Sequence, residues 1–112
     1  VVEQRKAKRF EIKLPLRLVR NGARPVIGTG ETKNMSSSGV LFATNAKIEV
    51  GEPLEYVITL MPTDESPASV DLHCLGKVTR FDAVTGHVQN GGGQFEVAAT
   101  LERYEFVRNA SN

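Results

Sequence analysis

Two arginines four residues apart, Arg5 and Arg9, and a small polar corner, Asn34-Met35-Ser36-Ser37-Ser38-Gly39, are the stretches of this chain best equipped for chemistry. A guanidinium can grip two anionic oxygens with parallel hydrogen bonds, or stack on an aromatic face, where lysine supplies only a point charge. The spacing of Arg5 and Arg9 lets them reach two parts of one ligand, whether the segment is coiled or forms one helical turn. Asn and Ser carry short hydrogen-bonding groups that bond to nearby backbone and set a turn. Gly39 permits a positive φ and lets a ligand approach the main chain where a Cβ would block it. Such a corner suits a planar polar ligand; taken alone, it reads equally well as an ordinary turn between strands.

Strands are what must position these groups. Phe10, Ile12, Leu14, Leu16 and Leu18 alternate with Glu11, Lys13, Pro15, Arg17 and Val19, the period-two pattern of a half-buried strand. Pro15 falls on the outward set, which predicts an edge strand or a bulge there. Asn21-Gly22 predicts a turn. Residues 26–34 read as a weaker strand whose Gly28 and Gly30 imply a bulge or strong curvature, and this strand delivers Asn34 into the corner. Further strands are expected at Val40–Thr44, Leu54–Met61, from Val70 to about Phe81, and at Gln94–Thr100, with loops from Pro62 to Ser69 and over 82–93. Leu101–Arg108 reads as a short helix, with Tyr104 and Phe106 docking it on the rest. The expected fold is all-β: about six strands joined by short turns, forming an antiparallel barrel or sandwich, with a short C-terminal α-helix, in a single domain spanning 1–112.

Composition limits the function classes. The net charge of +1 conceals an asymmetry: residues 1–24 hold eight Lys/Arg and two Glu, whereas the remainder holds six Lys/Arg and eleven Asp/Glu. A basic end on a mildly acidic body points to a localised anion site rather than a polyanion coat, and residues 1–9 are expected to stay extended and flexible until an anion orders them. Single-stranded nucleic acid would need exposed stacking aromatics, but the chain has no Trp, and its few Phe and Tyr fall mostly on core faces. No apolar run reaches the roughly 18 residues of a membrane span. One cysteine, Cys74, rules out an internal disulfide and fits a reducing cytoplasm.

The order and spacing of R-x-x-x-R at Arg5–Arg9 and N-x-S-x-x-G at Asn34–Gly39, in a β-rich context, resembles the PilZ domain, the bacterial receptor module for cyclic di-GMP. The resemblance covers essentially the whole chain and implies, of those two, a six-stranded antiparallel β-barrel with a short C-terminal α-helix. It implies that Arg5 and Arg9 clamp the nucleotide. Asn34, where the family has Asp or Asn, would accept a hydrogen bond from a guanine N–H, more weakly than a carboxylate would. Ser36 would bond the ligand or hold the turn, and Gly39 would give close backbone approach. None of the five signature residues departs from the family pattern. In the family, the residue before the first Arg is linked to whether one or two stacked ligands bind; here it is Gln4. The implied mechanism is a non-catalytic receptor that signals by ordering its N-terminal segment toward a protein partner or an attached effector domain. No cofactor is implied. The alternative of another class is a protein-interaction module of the same fold that does not bind the nucleotide.

The remaining candidates carry less. His73 and Cys74 are adjacent, so on a strand they point to opposite faces and cannot share a metal. His87 has no companion ligand, and the Ser36–Ser38 run lacks a G-x-S-x-G frame. Gly91–Gly93 lacks the lysine and helix of a phosphate loop. Arg80, at the end of a core strand, could approach the corner in a closed barrel, but reads first as a strand-end surface residue.

Overall fold

A computed structural model describes residues 11–60, 70–84 and 94–108. Seven strands are formed: β1 (Pro15–Asn21), β2 (Arg24–Met35), β3 (Gly39–Thr44), β4 (Pro53–Leu60), β5 (Val70–Ala83), β6 (Phe95–Thr100) and β7 (Arg103–Arg108). All pairings are antiparallel. The sheet runs β4-β1-β2-β3-β6-β5-β7, and pairing of β4 with β5 closes the first six strands into a barrel. Closure follows from the alternation in the sequence, because each strand has one apolar face to hide and no second layer is present among the described residues. The interior holds Leu16 and Leu18 of β1, Phe42, Tyr56, Ile58, Leu72, Cys74, Val78 and Val97, all buried. Phe42 and Tyr56 stack with ring centroids 6.0 Å apart, and the Tyr56 hydroxyl donates to the Thr100 carbonyl at 3.0 Å.

The expected strand at the N-terminal end starts later than its apolar pattern. Residues 11–14 are not strand but run beside β2, held by Thr32, whose side chain is fully buried. Thr32 Oγ1 accepts from the Leu14 amide at 2.8 Å and donates to the Ile12 carbonyl, and the Thr32 amide donates to the Leu14 carbonyl at 2.9 Å. Pro15 does face outward, but β1 lies between β2 and β4 and is not an edge. As the first residue of the strand, Pro15 can do without an N–H donor there, and the bulge falls later, between Leu18 and Arg20. Against β1, β2 shifts register between Pro25 and Gly28, beside the first of its glycines. A Cβ on Gly30 would collide with the Ala43 carbonyl oxygen of β3, so only glycine allows that approach.

The expected C-terminal helix is corrected to a strand. Among the described residues there is no helix, and Arg103–Arg108 forms β7. The physical reason is the length of β5. Its 14 residues pair with β6 only over Val78–Ala83, which leaves the backbone of Val70–Leu75 unmatched on that side. After a break at Leu101 and Glu102, β7 continues the line of β6 and supplies those partners, from Leu75↔Arg103 to Val70↔Arg108. Tyr104, Phe106 and Val107 are also residues that favour strands. Tyr104 and Phe106 therefore do not dock a helix; they stand 58% and 61% exposed and meet edge to face at 5.9 Å. The segment 1–9 expected to be flexible, and the loops expected at Pro62–Ser69 and through most of 82–93, lie outside the described residues.

Candidate functional site

The polar corner forms between β2 and β3. A bulge between Thr32 and Asn34 sets two residues, Lys33 and Asn34, against Leu41 alone. A bulge breaks the strict in-out alternation and re-aims a side chain. Thr32 thus stays inside the barrel opposite Phe42, while Asn34 lines the outer wall with Lys33 and Leu41. The corner then closes on itself: the Ser36 amide donates to the Gly39 carbonyl at 2.8 Å, and the Ser38 amide donates to Ser36 Oγ at 3.2 Å. Ser36 is buried, with its hydroxyl turned to these turn partners. The Leu101 amide donates to the Ser38 carbonyl at 2.9 Å, which pins the corner to the break between β6 and β7. Gly39 lacks the positive φ expected of it; among the described glycines only Gly22 and Gly51 have one. Its role is clearance: a Cβ there would crowd only the Ala99 carbonyl oxygen, at 3.3 Å.

Beside the corner, the outer faces of β3, β6 and β5 form a floor. Leu41, Ala98 and Arg80 stand in one cross-strand row, and Gly39 and Thr100 in the next. A depression of about 390 Å³ lies over Ser38, Gly39, Leu41, Ala98, Thr100 and Arg80. A second, of about 480 Å³, lies over Glu11, Lys13, Lys33, Asn34 and Leu41. Leu41 belongs to both, so the two form one surface, with a small-residue floor and a cation at either side. Glu96 sits between the cations: its Oε2 is 2.9 Å from Lys33 Nζ, and its Oε1 is 3.9 Å from Arg80 Nη2. Arg80 Nε also meets Asp82 Oδ2 at 2.9 Å. A flat, small-residue floor admits the face of a ring, and the flanking donors suit anionic oxygens or a purine edge.

The structure thus brings Asn34, Ser36 and Gly39 to one corner; Arg5 and Arg9 lie outside the described residues. Lys33, Leu41, Arg80, Glu96 and Ala98 are added by the fold. Arg80 is indeed an exposed strand residue, but barrel closure carries it against the corner from the other end of the chain. Nothing local to residue 80 announces this, because the pairing that places it links β5 to β6 and β6 to β3. The other titratable candidate, Cys74, is buried in the core with its thiol pushed up to about 12 by burial, while His73 lies on the opposite face. Among the described residues no cluster of His, Cys, Asp and Glu could hold a metal ion.

Comparison with known proteins agrees with this architecture. The PilZ domain family model matches residues 3–106. The chain belongs to the PilZ family. PilZ domains are binding modules, generally receptors for cyclic di-GMP, and this match spans both signature motifs, strands β1 to β6 and most of β7. No curated protein and no solved structure matches the chain. No helix among the described residues is long and apolar enough to cross a membrane.

Proposed function

We propose that this PilZ domain binds cyclic di-GMP on the outer wall beside the corner, with Arg5 and Arg9 as the clamp and Asn34, Ser36 and Gly39 as the facing surface. The observation that carries this reading is the path of residues 11–14. Thr32 ties this lead-in to β2, and Glu11 and Lys13 line the same depression as Asn34. Two residues of chain reach at most about 7 Å, so the two-residue separation of Arg9 from Glu11 suits a clamp working over this depression. Asn34 offers an amide oxygen to guanine N–H groups. Ser36 acts by holding the turn, and Gly39 by leaving the wall bare. The arginines engage the phosphodiester oxygens or the guanine O6/N7 edge. Ordering of residues 1–9 on the ligand changes the surface offered to a protein partner or an attached effector domain, and its entropic cost is offset by the charge-assisted contacts. No catalytic step and no cofactor enter this scheme, and its setting is the bacterial cytoplasm.

Calorimetric titration of the 112-residue chain with cyclic di-GMP, with GTP and cyclic GMP as controls, tests the reading. Saturable, selective heat that weakens as salt rises is expected, and the stoichiometry reports whether Gln4 accompanies one ligand or two. No heat at several temperatures, with no thermal-shift stabilisation, would reject nucleotide binding and leave an interaction module of the same fold.

A further inference from the structure

Three acids flank the candidate wall: Glu11 lines one depression, Asp82 meets Arg80 at 2.9 Å, and Glu96 alone of the three pairs with a cation on either side. Glu96 stands on β6, opposite Ala43 of β3 and Asp82 of β5. Its two carboxylate oxygens face different cations, Lys33 on one side at 2.9 Å and Arg80 on the other at 3.9 Å. These cations come from different strands, β2 and β5, and each lines one of the two depressions. The Glu96 side chain is 28% exposed, whereas Lys33 and Arg80 are 47% and 57% exposed. The carboxylate is thus the more sheltered member of each pair. The cations keep solvent access and several donors that an incoming ligand can use.

Resting on the cyclic di-GMP reading of this wall, we infer that Glu96 is a built-in competitor for the ligand's phosphodiester. It holds Lys33 and Arg80 in the empty domain, and binding must take one or both from it. Exposed carboxylate pairs are weak, so the exchange is easily reversed, and a phosphodiester anchored elsewhere by a clamp can displace them. Glu96 thereby lowers the affinity and sets the ligand concentration at which the domain responds. It also disfavours small anions that lack a second anchoring point, since these meet the same competitor without the compensation. Glu96 is a specificity-setting residue of the wall and need not touch the ligand.

Glu96→Gln keeps the size of the side chain and removes its charge, and Glu52→Gln makes the same charge change on the exposed turn preceding β4, outside both depressions. With unfolding midpoints checked first, calorimetry in about 100 mM salt is expected to show cyclic di-GMP binding about 3- to 10-fold tighter in Glu96→Gln, and nearly unchanged in Glu52→Gln. In a Lys33→Gln/Arg80→Gln background the gain from Glu96→Gln should fall to that of Glu52→Gln, because the cations it competed for are gone. Binding by Glu96→Gln where the unaltered chain shows none would also support the competitor. If the unaltered chain binds and Glu96→Gln is equal or weaker, or the gain persists without Lys33 and Arg80, the competitor role is overturned while the receptor reading stands. If neither protein binds, both are overturned.

Discussion

Among the described residues the chain turns twice at an Asn and a Gly, once at Asn21-Gly22 and once along Asn34–Gly39, and the two turns do opposite things. Asn21 points inward, 3% exposed, and uses both ends of its amide. Its Oδ1 accepts from the Glu49 amide at 2.7 Å and its Nδ2 donates to the Pro53 carbonyl at 3.2 Å. Gly22 takes φ +67° and donates to the same Pro53 carbonyl at 2.8 Å. That turn holds the barrel end together. In the second turn Ser36 closes the corner, and the bulge at Lys33 sets Asn34 on the outer wall. Similar composition thus holds the barrel together where the amide is buried, and lines the outer wall where it faces out. Which way it faces depends on the register of the strand that delivers it.

The largest effect that could break this contrast lies in the clamp. Arg9→Ala and Arg5→Ala should each weaken cyclic di-GMP binding by about 2–3 kcal/mol, the worth of charged hydrogen bonds, and leave the melting midpoint in place. Unchanged affinity by calorimetry in both variants would sink the clamp. Next, Asn21→Ala should cost about 1–3 kcal/mol of stability by denaturant titration, since the Glu49 amide loses its acceptor, with affinity preserved. Asn34→Ala should reverse the pattern: stability within about 0.5 kcal/mol, as for surface changes, and weaker binding. Equal stability losses at Asn21 and Asn34 would abolish the distinction between the turns.

Thr32→Val sharpens the link between fold and site. It removes the hydroxyl that accepts from the Leu14 amide and donates to the Ile12 carbonyl, and should cost about 1–2 kcal/mol in stability. It should also weaken binding, because residues 11–14 lead to Arg9; a stability loss with full affinity would show that the lead-in does not position the clamp. A pH-dependent effect concerns Cys74. Burial raises its folded-state pKa to about 12, above the unfolded value of about 8.5, so the folded chain holds the thiol proton more tightly. That contribution is complete below about pH 8.5 and is lost as the pH rises toward 12. Stability should therefore decline across that window less steeply in Cys74→Ala than in the parent, as urea titrations at stepped pH would show.

Much of the fold was legible because period-two alternation needs only neighbouring residues. The barrel, its six strands and the inward faces of β1, β4 and β5 follow from which side chains must leave water. Residues 101–108 were misread for the complementary reason. Six residues of Arg, Tyr, Glu, Phe and Val are compatible with a short amphipathic helix, and what makes them a strand is the open edge of β5, a distant element. The site divides in the same way. Asn34, Ser36 and Gly39 sit within six residues and could be picked out by type and spacing. Lys33 was passed over because only a bulge, visible in the pairing with Leu41, sets it on the wall beside Asn34.

Alternation, turn chemistry and the asymmetric charge, all carried by short stretches, thus suffice to dictate an all-β barrel with a basic N-terminal end and a polar corner. Hydrophobic burial acts locally enough on these patterns to be read directly. Tertiary structure alone decided that β7 extends β6 along β5, that Arg80 returns from the far end of the sheet to the corner, and that Glu96 stands between it and Lys33. These placements depend on register across strands dozens of residues apart, where barrel closure and the matching of backbone hydrogen bonds set the outcome.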